Sequence, residues 1–164
     1  MRPVLLAVTL VGLIPAPVLA QQYDYHLLLD STAAAAGGVL LRNGHHPDRT
    51  RDRPDGYTER SFTTLLPDSG GAPARGDLHV TIVSQGNTIT RIGLRADSHG
   101  DDTLAVKAAA QFFVTHLKGA MGRPASENED SDWCWSTRRR FIDLTLDRAY
   151  GGVSLTIGYG AQDH

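Results

Sequence analysis

From Leu78 to Leu94 apolar and polar residues alternate on either side of a short turn. Leu78, Val80 and Ile82 share one side of an extended chain, His79, Thr81 and Val83 the other, and Gln85, Gly86 and Asn87 supply the turn. Successive side chains of a strand point to opposite faces, so this pattern predicts a β-hairpin. The same period returns between Phe141 and Tyr159. There Ile142, Leu144 and Leu146 alternate with Asp143, Thr145 and Asp147, and Val153, Leu155, Ile157 and Tyr159 come back after the turn at residues 149–152. Each hairpin therefore has an apolar face that needs cover.

Between the hairpins the period changes. Val106, Ala109, Ala110, Phe113, Leu117 and Met121 recur at helical spacing, and Leu104, Ala108 and Phe112 widen the stripe; the spacing predicts a helix from about Thr103 to Lys118. Residues 97–102 offer capping side chains and negative charge for its start, while Gly119, Gly122 and Pro124 are stop signals. His116 sits beside the stripe, the place of a hydrogen-bonded structural histidine. Hairpin, helix and hairpin together predict an α+β fold, a two-layer sandwich with an antiparallel sheet packed by a long helix. Rossmann-like and TIM-barrel folds need repeated helix crossovers that this order lacks. Upstream, Tyr23 to Leu29 reads as a strand. Ser31 to Leu41 reads as a helix started by Ser31 or Thr32 and weakened by Gly37 and Gly38. Tyr57 to Leu66 reads as an edge strand from its Thr, Arg and Glu content. No repeat of solenoid type is present.

The first twenty residues follow a different logic. Arg2 gives a positive start, Val4 to Ile14 form a short apolar run, and Val18, Leu19 and Ala20 end it with small residues. This is the layout of a secretory signal peptide cleaved before Gln21. The run is shorter than the roughly 20 residues of a spanning helix, and Pro15 and Pro17 interrupt its end. The expectation is a periplasmic or extracellular protein, one α+β domain over residues 21–164, with no membrane span in the mature chain. Lipid attachment needs an N-terminal cysteine, and Cys134 is the single cysteine.

Charge narrows the class of partner. The chain carries 16 Lys and Arg against 18 Asp and Glu, a formal charge of −2. Loss of Arg2 with the leader leaves the rest slightly more acidic. A phosphate-binding surface needs a clear cationic excess, so nucleic acid is not an expected partner. The length suffices for one domain with its own core, without disulfide or metal.

Two loops concentrate chemistry. Residues 43–56 read NGHHPDRTRDRPDG, in which His45, His46 and Asp48, with Asp52 and Asp55, are candidate metal ligands. Adjacent histidines point apart, however, Arg49, Arg51 and Arg53 neutralise the carboxylates, and no HExxH spacing is present. Residues 123–132 gather Glu127, Glu129, Asp130 and Asp132, hard oxygen donors of the kind calcium takes, but without the EF-hand glycine and closing glutamate. The simpler reading is an acidic solvated loop.

The acidic loop runs directly into Trp133, Trp135, Arg138, Arg139 and Arg140. Tryptophan and arginine dominate many protein interfaces, which makes these five residues the candidate partner-binding set. In a strand, Trp133 and Trp135 share one face and Cys134 takes the other, so the indoles belong either to the core or to a contact surface. A lone cysteine reads as buried.

No G-x-S-x-G elbow and no Ser-x-x-Lys appears, and Asp97, Ser98 and His99 resemble a triad only in order. No cofactor is implied. The expectation is an exported binding module for another protein, such as an inhibitor, an immunity-type protein or an envelope accessory factor. The alternative is a metal-assisted hydrolase built on the His45 and His46 loop.

Overall fold

The computed structural model describes residues 23–99, 103–128, 131–149 and 152–161. The signal peptide and Gln21 lie outside these, as do residues 100–102 of the expected cap and Glu129 and Asp130 of the acidic loop. A 3-10 turn, Tyr25–Asp30, and helix α1, Ala33–Arg42, lead into a meander of four strands: β1 His46–Asp52, β2 Tyr57–Pro67, β3 Pro73–Gln85 and β4 Thr88–His99. Helix α2, Thr103–Met121, then precedes a second meander: β5 Ser126–Asn128, β6 Asp132–Ser136, β7 Arg140–Ala149 and β8 Gly152–Ala161. The eight strands of the described residues form one antiparallel sheet in the order β1-β2-β3-β4-β8-β7-β6-β5. Each half is a helix followed by a four-stranded meander, and the last strands of the halves, β4 and β8, pair at the centre.

The alternation predicted from sequence sets which side of the sheet is apolar. Leu78, Val80 and Ile82 of β3, Ile92 and Leu94 of β4, Ile142 and Leu144 of β7 and Leu155, Ile157 and Tyr159 of β8 are all buried in one cluster. Helix α2 lays Val106, Ala109, Ala110, Phe113 and Leu117 into the same cluster, and α1 adds Ala33, Ala36 and Leu40. Each fully buried Leu, Ile or Phe contributes about 1.5–3 kcal/mol relative to exposure. Both predicted hairpins are present. Gln85 pairs with Thr88 around Gly86, whose φ of 58° is the left-handed conformation that suits so short a turn.

Several expectations are corrected. Tyr23 to Leu29 is not a strand: Tyr25–Asp30 turns as a 3-10 helix that buries Tyr25, His26 and Leu28. The glycines do not spoil α1, which starts at Thr32, whose hydroxyl accepts the Ala35 N–H, and packs Gly37 towards Phe62. Asp97 does not cap α2; it belongs to β4, where it accepts bonds from Arg95 and from the Ser154 hydroxyl. Helix α2 runs through Gly119 to Met121 and ends at Gly122, with φ of 81°. Tyr57 to Leu66 lies inside the sheet rather than at its edge. The edge is β1, formed by residues expected to be a loop; β1 is exposed along its whole length, so its sequence carries no apolar period.

Candidate functional site

Trp133 and Trp135 share one side of β6, as their pairing with Leu144 and Ile142 requires, but their surroundings differ. Trp135 is 2% exposed and its indole N–H donates to the Gly122 carbonyl at 3.0 Å, so it is a core residue that ties β6 to the end of α2. Trp133 is half-buried, and its indole donates to Glu127 Oε1, which also accepts from Lys118 Nζ. The Lys118 bond first, then the Trp133 bond, holds the Glu127 carboxyl below its ordinary range. Arg138 and Arg139 are exposed in the turn between β6 and β7, where they share a shallow hollow with Met121. Arg140 turns inward instead, donating to the His26 carbonyl and pairing with Asp30. Cys134 is partly exposed rather than buried. Desolvation, then the Asp143 carboxylate, pushes its thiol up, away from nucleophile chemistry.

The two histidines of the 43–56 segment separate. His45 is buried, its Nε2 at 2.9 Å from the Tyr25 hydroxyl. Desolvation lowers its pKa, against the opposing pull of the Leu40 and Asn43 carbonyls on its ring. Its Nδ1 has no hydrogen-bond partner among the described residues, so the bond to Tyr25 is the one side-chain hydrogen bond of the ring there. His46 and Asp48 are exposed on β1. Among the described residues no three His, Cys, Asp or Glu side chains gather as a metal-binding group.

A second polar network fixes the start of the chain. His116 Nε2 lies 2.5 Å from Asp24 Oδ1 and its ring stacks on Phe112, which joins the segment before α1 to the side of α2. His26 is buried beside this pair, with no hydrogen-bond partner for Nδ1 among the described residues. Burial lowers its pKa, with Asp24 pulling the other way.

The side chains that alternate with the core form the other surface of the sheet. Register places Arg49 beside Ser61, Arg51 beside Glu59, Ser61 beside Thr81, Thr81 beside Gly93, and Gly93 beside Gly158. Arg53, Tyr57, Glu59, Thr81, Arg91 and Gly93 border a hollow of about 360 Å³. Its floor is glycine: nothing lies within 4 Å of where a Gly93 Cβ would stand, and the Arg91 guanidinium reaches over Gly158. Glycine in a strand interior weakens it and leaves room for close approach.

Arginine is concentrated on one half of this surface. Arg49 and Arg51 stand on β1, Arg53 just after it and Arg91 and Arg95 on β4, interspersed with Glu59, Asp77 and Asp97, whereas Asp132, Asp143 and Asp147 stand on β6 and β7. Arg53 pairs with Asp55 and Glu59 and Arg95 with Asp97, while Arg49, Arg51 and Arg91 make no salt bridge among the described residues. Sequence reasoning missed this set because its members are scattered over four strands. The available signal was Gly93, Gly158 and Gly160 at polar-face positions of otherwise regular strand patterns. Comparison of the chain with protein-family models, with the curated proteins and with the solved structures finds no significant match.

Proposed function

We propose that the protein is an exported binding module that holds another protein against the uncovered side of its sheet, as an inhibitor, an immunity-type protein or an envelope accessory factor does. The reading takes the helices and sheet as a two-layer sandwich whose second sheet face is free, and takes residues 1–20 as a cleaved export signal. The observation that carries it is the open space over Gly93, bordered by Tyr57, Thr81 and Arg91 in the middle of a wide polar sheet. A rigid sheet holds such contacts at low entropic cost on binding, and Tyr and Arg are residues that anchor interfaces. Arg138 and Arg139 are a smaller exposed patch at the end of the sheet and form the rim of the proposed contact. Trp135 serves the module through stability.

The test is site-specific photo-crosslinking in the extracytoplasmic fraction of the native cell. A photoreactive residue at Thr156, exposed on the uncovered side, is expected to trap one partner protein, and the same residue at Ala120, exposed on α2, is not. Trapping from Ala120 alone, or from neither position, overturns the proposal.

A further inference from the structure

Strand β1 ends the sheet, and its outer backbone is positioned to take another strand. The Arg53 N–H donates to the Tyr57 carbonyl at 2.8 Å. Hydrogen-bonded pairs alternate along an antiparallel ladder, so Arg51 and Glu59 turn their backbones towards each other while the N–H and C=O groups of Thr50 and Asp52 turn outward. A register shift between Pro47 and Arg49 limits pairing at the other end. The free edge therefore offers a short ladder centred on Thr50 and Asp52.

The side chains along this edge select what pairs there. Arg49 and Arg51 point to the uncovered side, continuous with Arg53 of the hollow, and neither makes a salt bridge among the described residues. A second copy of β1 is a poor occupant. Pairing two copies about Thr50 sets Arg49 against Arg51 and Asp48 against Asp52, and like charges directly opposite destabilise a strand pair. Shifting the dyad to Arg49 or Arg51 sets that arginine against itself. The opposite edge, β5, has three residues and its Glu127 is already held by Lys118 and Trp133.

We infer that β1 is a strand-addition site for an extended acidic segment of the partner protein, one carrying Asp or Glu at every second residue to face Arg49 and Arg51. The inference rests on the reading of the protein as a binding module and adds the chemistry of what it binds. Main-chain hydrogen bonds to Thr50 and Asp52 supply the attachment, and the alternating carboxylates set its register.

The experiment is fluorescence anisotropy with labelled heptapeptides added to the purified protein. A peptide of alternating Thr and Glu is expected to bind saturably and the same peptide with Lys for Glu is not. The Arg49→Glu/Arg51→Glu variant is expected to lose the Glu peptide by about tenfold and to take up the Lys peptide. A Glu peptide with Pro in place of the threonines keeps its charge but cannot donate to the ladder, and is expected to bind at least about tenfold more weakly. Equal binding of the Pro peptide makes the contact purely electrostatic and overturns the inference, as does no binding of the Thr-Glu peptide. Circular dichroism of the double variant checks that its surface changes leave the fold intact. A partner that is trapped from Thr156 but indifferent to the Arg49 and Arg51 reversal removes this inference and leaves the binding-module reading standing.

Discussion

The Tyr25 hydroxyl and Nε2 of His45 share a hydrogen bond of 2.9 Å inside the core, and that bond converts half of the adjacent-histidine motif into a packing element. Tyr25 also meets Tyr23, Phe113 and Tyr159 ring to ring, so the 3-10 turn, α2 and β8 converge on one side chain. Tyr25→Phe preserves the ring and leaves His45 Nε2 buried without its hydrogen-bond partner. It is expected to cost about 1–3 kcal/mol of unfolding free energy by urea titration.

His45 and His26 both have pKa values lowered by burial, which fixes the sign of their linkage to pH. The folded state binds its proton less readily than the unfolded state, whose histidines titrate near 6.5. Their contribution to stability is full above that value and is lost as pH falls from it towards the folded-state values, by up to about 1.4 kcal/mol per pH unit for each group. The melting temperature is expected to drop between pH 7 and pH 5, and to drop less in His45→Gln. An unchanged slope in that variant contradicts the buried neutral ring.

The two tryptophans separate in an unfolding assay. Trp135→Ala removes a side chain that is 2% exposed, together with its bond to Gly122, and is expected to cost about 3–5 kcal/mol. Trp133→Ala is expected to cost half of that or less, because its indole is only partly buried and its partner Glu127 keeps Lys118.

Phe141 lies over Gly160 on the side of the sheet that alternates with the core, so close that a Cβ on Gly160 would stand 2.3 Å from the ring. Gly160→Ala is expected to cost about 1–3 kcal/mol through overpacking. Adding Phe141→Ala is expected to recover most of that penalty. A double-mutant cycle by urea unfolding measures the coupling, and additive losses contradict the contact.

These contacts explain how much the sequence could tell. Alternation over residues 78–94 and 141–159 and the helical stripe from Val106 to Leu117 located the two central hairpins and α2, because each carries one apolar side into the same core. Strand β1 was illegible for the opposite reason: with all seven residues exposed, pairing with β2 rather than an apolar side makes it a strand. Tyr23 to Leu29 has the composition of a strand, but the segment packs Tyr25 and Leu28 as one turn against β4 and β8. The pairing of β4 with β8 was not legible either, since it depends on backbone geometry that many residue choices satisfy. The candidate surface had the same fate. Arg53, Tyr57, Thr81, Arg91 and Gly93 meet only after β1 to β4 have paired.

On the proposed function the partner sits in the hollow over Gly93, and Gly93→Tyr blocks that contact. No atom lies within 4 Å of the Gly93 Cβ position, and its backbone is outside the left-handed region, so the tyrosine fills the hollow without disturbing the sheet. Its melting temperature is expected to equal or exceed that of the unaltered protein. The partner trapped by crosslinking is then titrated calorimetrically into the unaltered protein, Gly93→Tyr and Arg139→Ala. Gly93→Tyr is expected to lose about a hundredfold or more in affinity, and Arg139→Ala at the rim less than about fivefold. Equal affinity of Gly93→Tyr and the unaltered protein for that partner contradicts a binding site at the hollow.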